Sequence, residues 1–277
     1  MDKLVQLFKR TYLRIKYRRY GWKGDYKTWS EALANSTGYS SEAIVEKVKA
    51  ATLLVKSGDA IYERDAMLFD HIEYSWPLMA HLLWIANNSR SLSIIDFGGS
   101  LGSSYFQNRH YLQQVADVKW SVVEQPGFVS AGSESIADDQ LQFFNTVDEA
   151  ITKRGMHQVL LLSCVLPYIE RPYELLTQLA AKKFQYIIID NTYFNPRPTN
   201  RLTVQKVPPV YYDAAYPAWF LHYHQVIATL AEAYTLINAY NNEQILYLDG
   251  QLLQYKGFVM QLKPQQVNHP STFIPSP

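Results

Sequence analysis

Ser93-Ile94-Ile95-Asp96-Phe97-Gly98-Gly99-Ser100-Leu101-Gly102 is the stretch that decides the fold. Ser93 to Phe97 reads as a short buried strand that ends beside a carboxylate. Three glycines follow within five residues, and a helical pattern over about 102–116 begins behind them. Glycine takes positive φ and lets a ligand come close, because no Cβ stands in the way. Strand, glycine turn and helix N-terminus together make a nucleotide-type pocket in an open α/β sheet.

The flanking chain continues the alternation. Strands are predicted at Trp120–Glu124, Gln142–Phe144, Val159–Ser163 and Tyr186–Asn191, with helices at about 127–137, 147–154 and 172–182 between them. Such alternation argues for a parallel sheet covered on both faces. The nearly uniform apolar runs at Val159–Ser163 and Tyr186–Asp190 suit strands buried on both sides. Upstream, residues 28–60 read as helices broken near Asn35–Gly38. Residues 62–88 read as more helix, with Leu68, Phe69, Ile72, Leu78 and Leu82 on one face and Pro77 at a kink or restart. Downstream come a Pro-rich connection at 195–217 and a helix at about 218–232. Ala233–Tyr240, Ile245–Asp249 and Gly257–Lys263 follow, the last two as an antiparallel pair at the sheet edge. The division expected is a basic helix and helical extension over 1–90, a Rossmann-like domain over 91–264, and a poorly ordered tail over 265–277.

Composition bounds the function. The chain has 277 residues, 48% hydrophobic and 18% charged, so a substantial core is expected. A net charge of +1 speaks against a nucleic-acid binder. A single cysteine, Cys164, leaves no intrachain disulfide and no cysteine-rich zinc site. No apolar run reaches the roughly 20 residues that span a bilayer, and no signal-peptide pattern is evident. The reading is a soluble, cytoplasmic protein. Residues 1–27, however, carry a net +7, with Leu4, Leu7, Phe8, Tyr12 and Ile15 at helical spacing. Such a helix suits peripheral contact with the inner membrane; a solvated or self-packing helix is the plainer reading.

The glycine turn matches neither G-x-G-x-x-G nor a phosphate loop, which would end Gly-Lys-Ser/Thr. It resembles, with one glycine displaced, the acidic–x–Gly–x–Gly–x–Gly turn of class I S-adenosylmethionine-dependent methyltransferases. In that family the turn passes beside the methionine and ribose of the cofactor. The resemblance implies that Asp96, Gly98, Gly99, Ser100 and Gly102 shape the methionine pocket. Glu124 closes the next predicted strand, where a carboxylate can accept both ribose hydroxyls. Gln125, Asn145 and Ser163 are then expected to flank the adenosine. Ser163-Cys164 stand where many relatives have His or Asp.

Past the fifth strand, Arg201-Leu202-Thr203-Val204-Gln205 and Tyr211-Tyr212-Asp213 form a polar and aromatic stretch on the ligand-binding side of the sheet. His222-Tyr223-His224 lies just inside a predicted helix, where residues two apart do not share a face. Asp190, Arg201 and His222 are the candidate catalytic residues, and Tyr212 and Asp213 the candidate substrate contacts. No metal-ligand signature is evident.

The resemblance sharpens over longer blocks. Phe69-Asp70, Tyr74-Ser75-Trp76-Pro77, Asp96 through Asn108, Trp120-Ser121-Val122-Val123-Glu124-Gln125-Pro126, Tyr186-Ile187-Ile188-Ile189-Asp190 and Arg201–Gln205 look like one family of methyltransferases encoded with bacterial polysaccharide or lipopolysaccharide biosynthesis genes. The likeness spans about residues 20–262. Ala218 stands where many relatives are expected to have Cys, which argues against a thiol role there. The family implies a class I methyltransferase sheet, mostly parallel with an antiparallel edge, and S-adenosyl-L-methionine as cofactor. It also implies O-methylation of a small-molecule or glycan acceptor, a sugar of a surface-glycan precursor. The alternative is an inactive binding or scaffold protein of glycan assembly on the same fold. An oxidoreductase is disfavoured by the missing dinucleotide fingerprint.

Overall fold

The computed structural model describes Thr11 and residues 20–37, 41–209 and 214–264. Nearly all of the basic segment before residue 20, Tyr212, Asp213 and the tail from 265 lie outside the described residues. The chain opens with β1 (Gly21–Tyr26), α1 (Trp29–Ala34), α2 (Ser41–Ser57), β2 (Tyr62–Arg64), β3 (Met67–Phe69) and α3 (Trp76–Ser89). The alternating section is β4 (Leu92–Phe97), α4 (Ser103–Leu112), β5 (Val118–Val123), α5 (Pro126–Ser135), β6 (Leu141–Phe144), α6 (Val147–Arg154), β7 (Val159–Ser163), α7 (Pro172–Ala180) and β8 (Tyr186–Thr192). It closes with β9 (Arg201–Lys206), β10 (Ala215–Phe220), α8 (Tyr223–Leu230), β11 (Tyr234–Leu248) and β12 (Gln251–Leu262).

Seven strands form the main sheet in the order β11-β12-β8-β7-β4-β5-β6. From β8 through β6 every neighbouring pair is parallel, whereas β12 runs antiparallel to both β8 and β11. This is a Rossmann-like α/β sheet with an antiparallel strand near one edge. The period of two along each strand fills two cores. Ile94, Leu161 and Ile188 face α2, α3, α4 and α5, while Ile95, Leu160, Leu162 and Ile189 face α6, α7 and α8. Both faces are buried, which is why these strands read as unbroken apolar runs. The strand order reverses between β4 and β7, so the crevice for a ligand opens beyond their C-terminal ends.

Several expectations need correction. Residues 62–69 form the β2–β3 hairpin instead of continuing a helix, and α3 starts only at Trp76, with Pro77 in its first turn. The hairpin turn is Asp65-Ala66, both at positive φ (52° and 64°). Turns of that kind usually carry Asn or Asp followed by Gly, and Ala66 in place of the glycine left only half of the signal. The Pro-rich connection contains β9 and β10, which with β1 make a three-stranded sheet in the order β1-β9-β10. Pro217 lies in β10, an edge strand of that sheet, where a missing amide hydrogen is tolerated. The helix expected from about 218 therefore begins at Tyr223. The terminal hairpin pairs Ile245–Leu248 with Gln254–Gln251 and Gly257–Leu262 with Tyr240–Tyr234, so the expected couple of Ile245–Asp249 with Gly257–Lys263 does not form: both ends of one long β11 pair with β12 instead.

Candidate active site at the sheet switch point

The carboxylate of Asp96 lies beneath the glycine turn, only 1% exposed. One oxygen accepts a hydrogen bond from the Trp120 indole at 3.0 Å, and Oδ1 has no partner. Burial pushes this carboxyl up to about 7, the Trp120 bond opposes the rise and the nearby Glu124 adds to it. Gly99 packs on the same group: a Cβ there would stand 2.5 Å from it. Gly98 has φ 74° and faces Val165 of the β7 exit, and Ser100 is held at φ 54° without being glycine. Gly102 caps α4 with no side-chain hydrogen bond of its own, leaving the first-turn amides of α4 without a capping side chain.

Glu124 follows β5 directly. Its carboxylate accepts the Gln125 amide at 2.6 Å, and the Ser100 amide of the glycine turn lies near it. Burial raises its carboxyl above the usual range, and the Gln125 and Ser100 amides pull the other way. The half-buried Ser163 ends β7. Cys164 takes φ 54° and donates its amide to the Asp190 carbonyl at 3.0 Å. Ser100, Cys164 and Asn191 all adopt positive φ just past β4, past β7 and near the end of β8. Non-glycine residues in that region store strain, and such strain gathers at functional sites. Burial, then the neighbouring Asp65, pushes the Cys164 thiol up to about 12, so it is not a nucleophile.

Asp190 anchors a polar cluster beside Cys164. Its Oδ1 accepts from Ser75 Oγ at 3.1 Å, Tyr240 Oη at 2.9 Å and Asn242 Nδ2 at 3.1 Å. Burial raises its carboxyl, and these donors lower it. The β2–β3 hairpin supplies two more acids. Glu63 is 1% exposed and accepts from Ser103 Oγ at the start of α4, while its Oε2 has no partner. Burial pushes Glu63 up to about 7. Asp65, at the turn of the hairpin, is exposed.

The structure thus joins Asp96, Gly98, Gly99, Ser100, Gly102, Glu124 and Ser163 around one crevice, with Asp190 alongside. Gln125 and Asn145 are exposed at the ends of β5 and β6, and the Asn145 amide is held by Glu149 at 2.9 Å. Arg201 and His222 sit elsewhere. The Arg201 guanidinium pairs with Asp249 and donates to the Gly24 carbonyl at 2.7 and 2.9 Å, so it pins the smaller sheet. His222 caps α8, with its amide on Asn200 and its ring against His224. Sequence reasoning missed Glu63, Asp65, Ser75, Tyr240 and Asn242. Only the Glu63-Arg64-Asp65 charge run offered a sign, and it was hidden inside a supposed helix.

No family model matches the chain, and no curated protein matches it. Among solved structures it is similar to the N-terminal domain of EvdMO1 crystallised with SAH and D-fucose: 10% identity, 79% of this chain and 97% of that chain, TM-score 0.47. It is also similar to the N-methyltransferase NodS from Bradyrhizobium japonicum WM9 in complex with S-adenosyl-L-homocysteine: 11% identity, 76% and 99% coverage, TM-score 0.43. A SAM-dependent methyltransferase from Methanosarcina mazei aligns at 9% identity over 64% and 96%, TM-score 0.45. The fold assignment rests on this chain's own strand order.

Proposed function

We propose that the protein is an S-adenosylmethionine-dependent methyltransferase. The observation that carries this is Glu124, an acid directly after β5, whose carboxylate lies beside the glycine turn that follows β4. A ribose diol placed there would meet an acceptor group already aimed at the crevice. The glycine turn fits the same ligand, since Gly99 lets its backbone lie directly on Asp96 and Gly98 and Gly102 take positive φ. When bound, the cofactor supplies an activated methyl group on a sulfonium. The chain's task is to align donor and acceptor and to receive a proton. In this reading Asp96, Gly98, Gly99, Ser100 and Gly102 hold the methionine end, Glu124 the ribose, and Gln125, Asn145 and Ser163 the adenosine side.

The acceptor in this proposal is a small molecule, and its finer form is a sugar hydroxyl of a surface-glycan precursor, methylated in the cytoplasm. In this reading Asp190 is the acid on the acceptor side. One observation favours the second reading, a binding protein without turnover: three donors already occupy Asp190 Oδ1, and the Cys164 thiol is pushed far from reactivity.

Calorimetric titration with S-adenosylmethionine tests the proposal. Saturable binding is expected, weakened by at least about tenfold in Glu124→Ala, since two charge-assisted hydrogen bonds are lost. Absence of heat and of any thermal shift in the folded protein refutes it.

A further inference from the structure

The short segment before α3 forms one rim of the switch-point crevice, and the cofactor reading does not use it. Residues 73–75 run from α4 to the end of β8. At one end the Gln107 side chain of α4 donates to the Glu73 carbonyl. At the other end Ser75 Oγ donates to Asp190 Oδ1 at 3.1 Å. In the sheet β7 and β4 lie between β8 and β5, and α4 leaves the glycine turn that follows β4. The segment therefore passes beside the C-terminal ends of β7 and β4, where the crevice opens.

Three rings gather on this rim. Tyr74 of the segment and Trp76 at the start of α3 have ring centroids 4.8 Å apart. Tyr111 of α4 meets both edge-on, at 5.3 and 5.8 Å. Tyr111 lies one helical turn beyond Gln107, so the two share a face of α4. The indole of Trp76 is thus braced by two tyrosines, yet Trp76 is 53% exposed. Polar groups stand around it. His110 is exposed, with its ring 5.3 Å from Tyr111, and the exposed Glu73 carboxylate pairs with Arg64 at 2.8 Å. A wholly apolar partner would press these polar groups against carbon, at a cost. A saccharide ring would not, because it has C–H groups on its faces and hydroxyls around its edge. A fixed aromatic ring with polar neighbours matches that division.

We propose that Tyr74, Trp76 and Tyr111 form a saccharide subsite at the mouth of the crevice, with Trp76 stacked on the C–H face of a sugar ring and His110 and Glu73 meeting its hydroxyls. This rests on the acceptor reading above and deepens it, because it makes the acceptor a glycan of more than one ring. Ser75 stands between Tyr74 and Trp76 with its hydroxyl on Asp190, so the platform and the acceptor-side acid belong to one continuous wall. One ring of the glycan rests on Trp76 while another presents its hydroxyl in the crevice. Contacts to the ring that does not react supply binding energy and fix which hydroxyl is presented. The three aromatic residues act here in specificity.

The test is fluorine NMR of the full chain labelled with fluorotryptophan, whose six tryptophans give six resonances. Trp76→Phe identifies the Trp76 signal. The probes are maltotriose, cellotriose and the methyl glycosides of glucose, mannose, galactose and rhamnose, each added with and without S-adenosylhomocysteine. A saturable shift of the Trp76 signal is expected with at least one of them. Trp84, 42% exposed on the same helix, should not move. Trp76→Ala is expected to weaken that saccharide by about tenfold in a ligand-observed titration, with S-adenosylhomocysteine affinity held within about twofold. A Trp76 signal that no saccharide moves, or that moves only together with Trp84, overturns the inference. Binding of S-adenosylhomocysteine in those same samples then leaves the cofactor reading intact. A saccharide shift at Trp76 in a protein that binds neither S-adenosylmethionine nor S-adenosylhomocysteine supports the subsite and refutes the methyl transfer.

Discussion

Gly99 and Asp96 show how one absent carbon shapes the site. A methyl at position 99 would stand 2.5 Å from a carboxylate that is buried and cannot retreat into solvent. Gly99→Ala is expected to cost about 2 kcal/mol or more of stability, in the range of overpacked cores. It should also weaken cofactor binding, because the turn must shift. Urea denaturation beside a ligand titration checks this, and a variant neutral in both would contradict the geometry. Ionisation matters at the same residue. Asp96 and Glu63 both rest near pKa 7 because burial disfavours their charge. A bound sulfonium favours the ionised forms, so its affinity should rise from about pH 6 to about pH 8. S-adenosylhomocysteine should show the weaker dependence. Glu124 could be anticipated because its place at a strand end follows from an apolar run and a turn. Glu63 could not, since its bond with Ser103 is a tertiary contact that no spacing encodes.

At the scale of elements, the Asp190 cluster ties three segments into one wall. Ser75 precedes α3, Tyr240 and Asn242 belong to β11, and Asp190 belongs to β8. Tyr240→Phe removes one donor from a buried carboxylate and is expected to cost about 1.5–3 kcal/mol. Denaturant unfolding measures that loss, and an effect near zero would mean that the hydroxyl does not hold β11 to β8. The same elements show what sequence could deliver. Val159–Ser163 was legible to the residue, because a strand buried on both faces is an apolar run with sharp ends. The β2–β3 hairpin was not, because three-residue strands leave no period to count and Asp65-Ala66 is an unusual turn pair. Strand β10 was masked by Pro217, a residue that argues against strands except at an edge.

The two ends of the sheet differ. Asp96, Glu124 and Asp190 stand at the C-terminal ends of β4, β5 and β8, while the opposite end holds a buried histidine. His157 is 2% exposed, with Nε2 2.8 Å from Ser121 Oγ and Nδ1 without a partner. Burial, then the charge of Arg154, pushes it down from 6.5 to about 4. Its folded value lies below its unfolded one, so the folded protein resists taking up the proton. The stability tied to neutral His157 is present in full above about pH 6.5 and is lost as pH falls toward about 4. The loss amounts to about 3 kcal/mol. The stability difference between the native protein and His157→Gln should therefore shrink across that interval. A difference that stays flat with pH would contradict a neutral buried imidazole. Among the described residues no helix is long and apolar enough to cross a membrane.

The central claim is that the switch-point crevice binds the methyl donor with Glu124 on its ribose. A crystal structure of the protein with S-adenosylhomocysteine tests it most directly. The account predicts the nucleoside beyond the ends of β4 and β5, with the Glu124 carboxylate within hydrogen-bonding distance of both ribose hydroxyls. A ligand bound elsewhere, or a ribose out of reach of the Glu124 carboxylate, would contradict it.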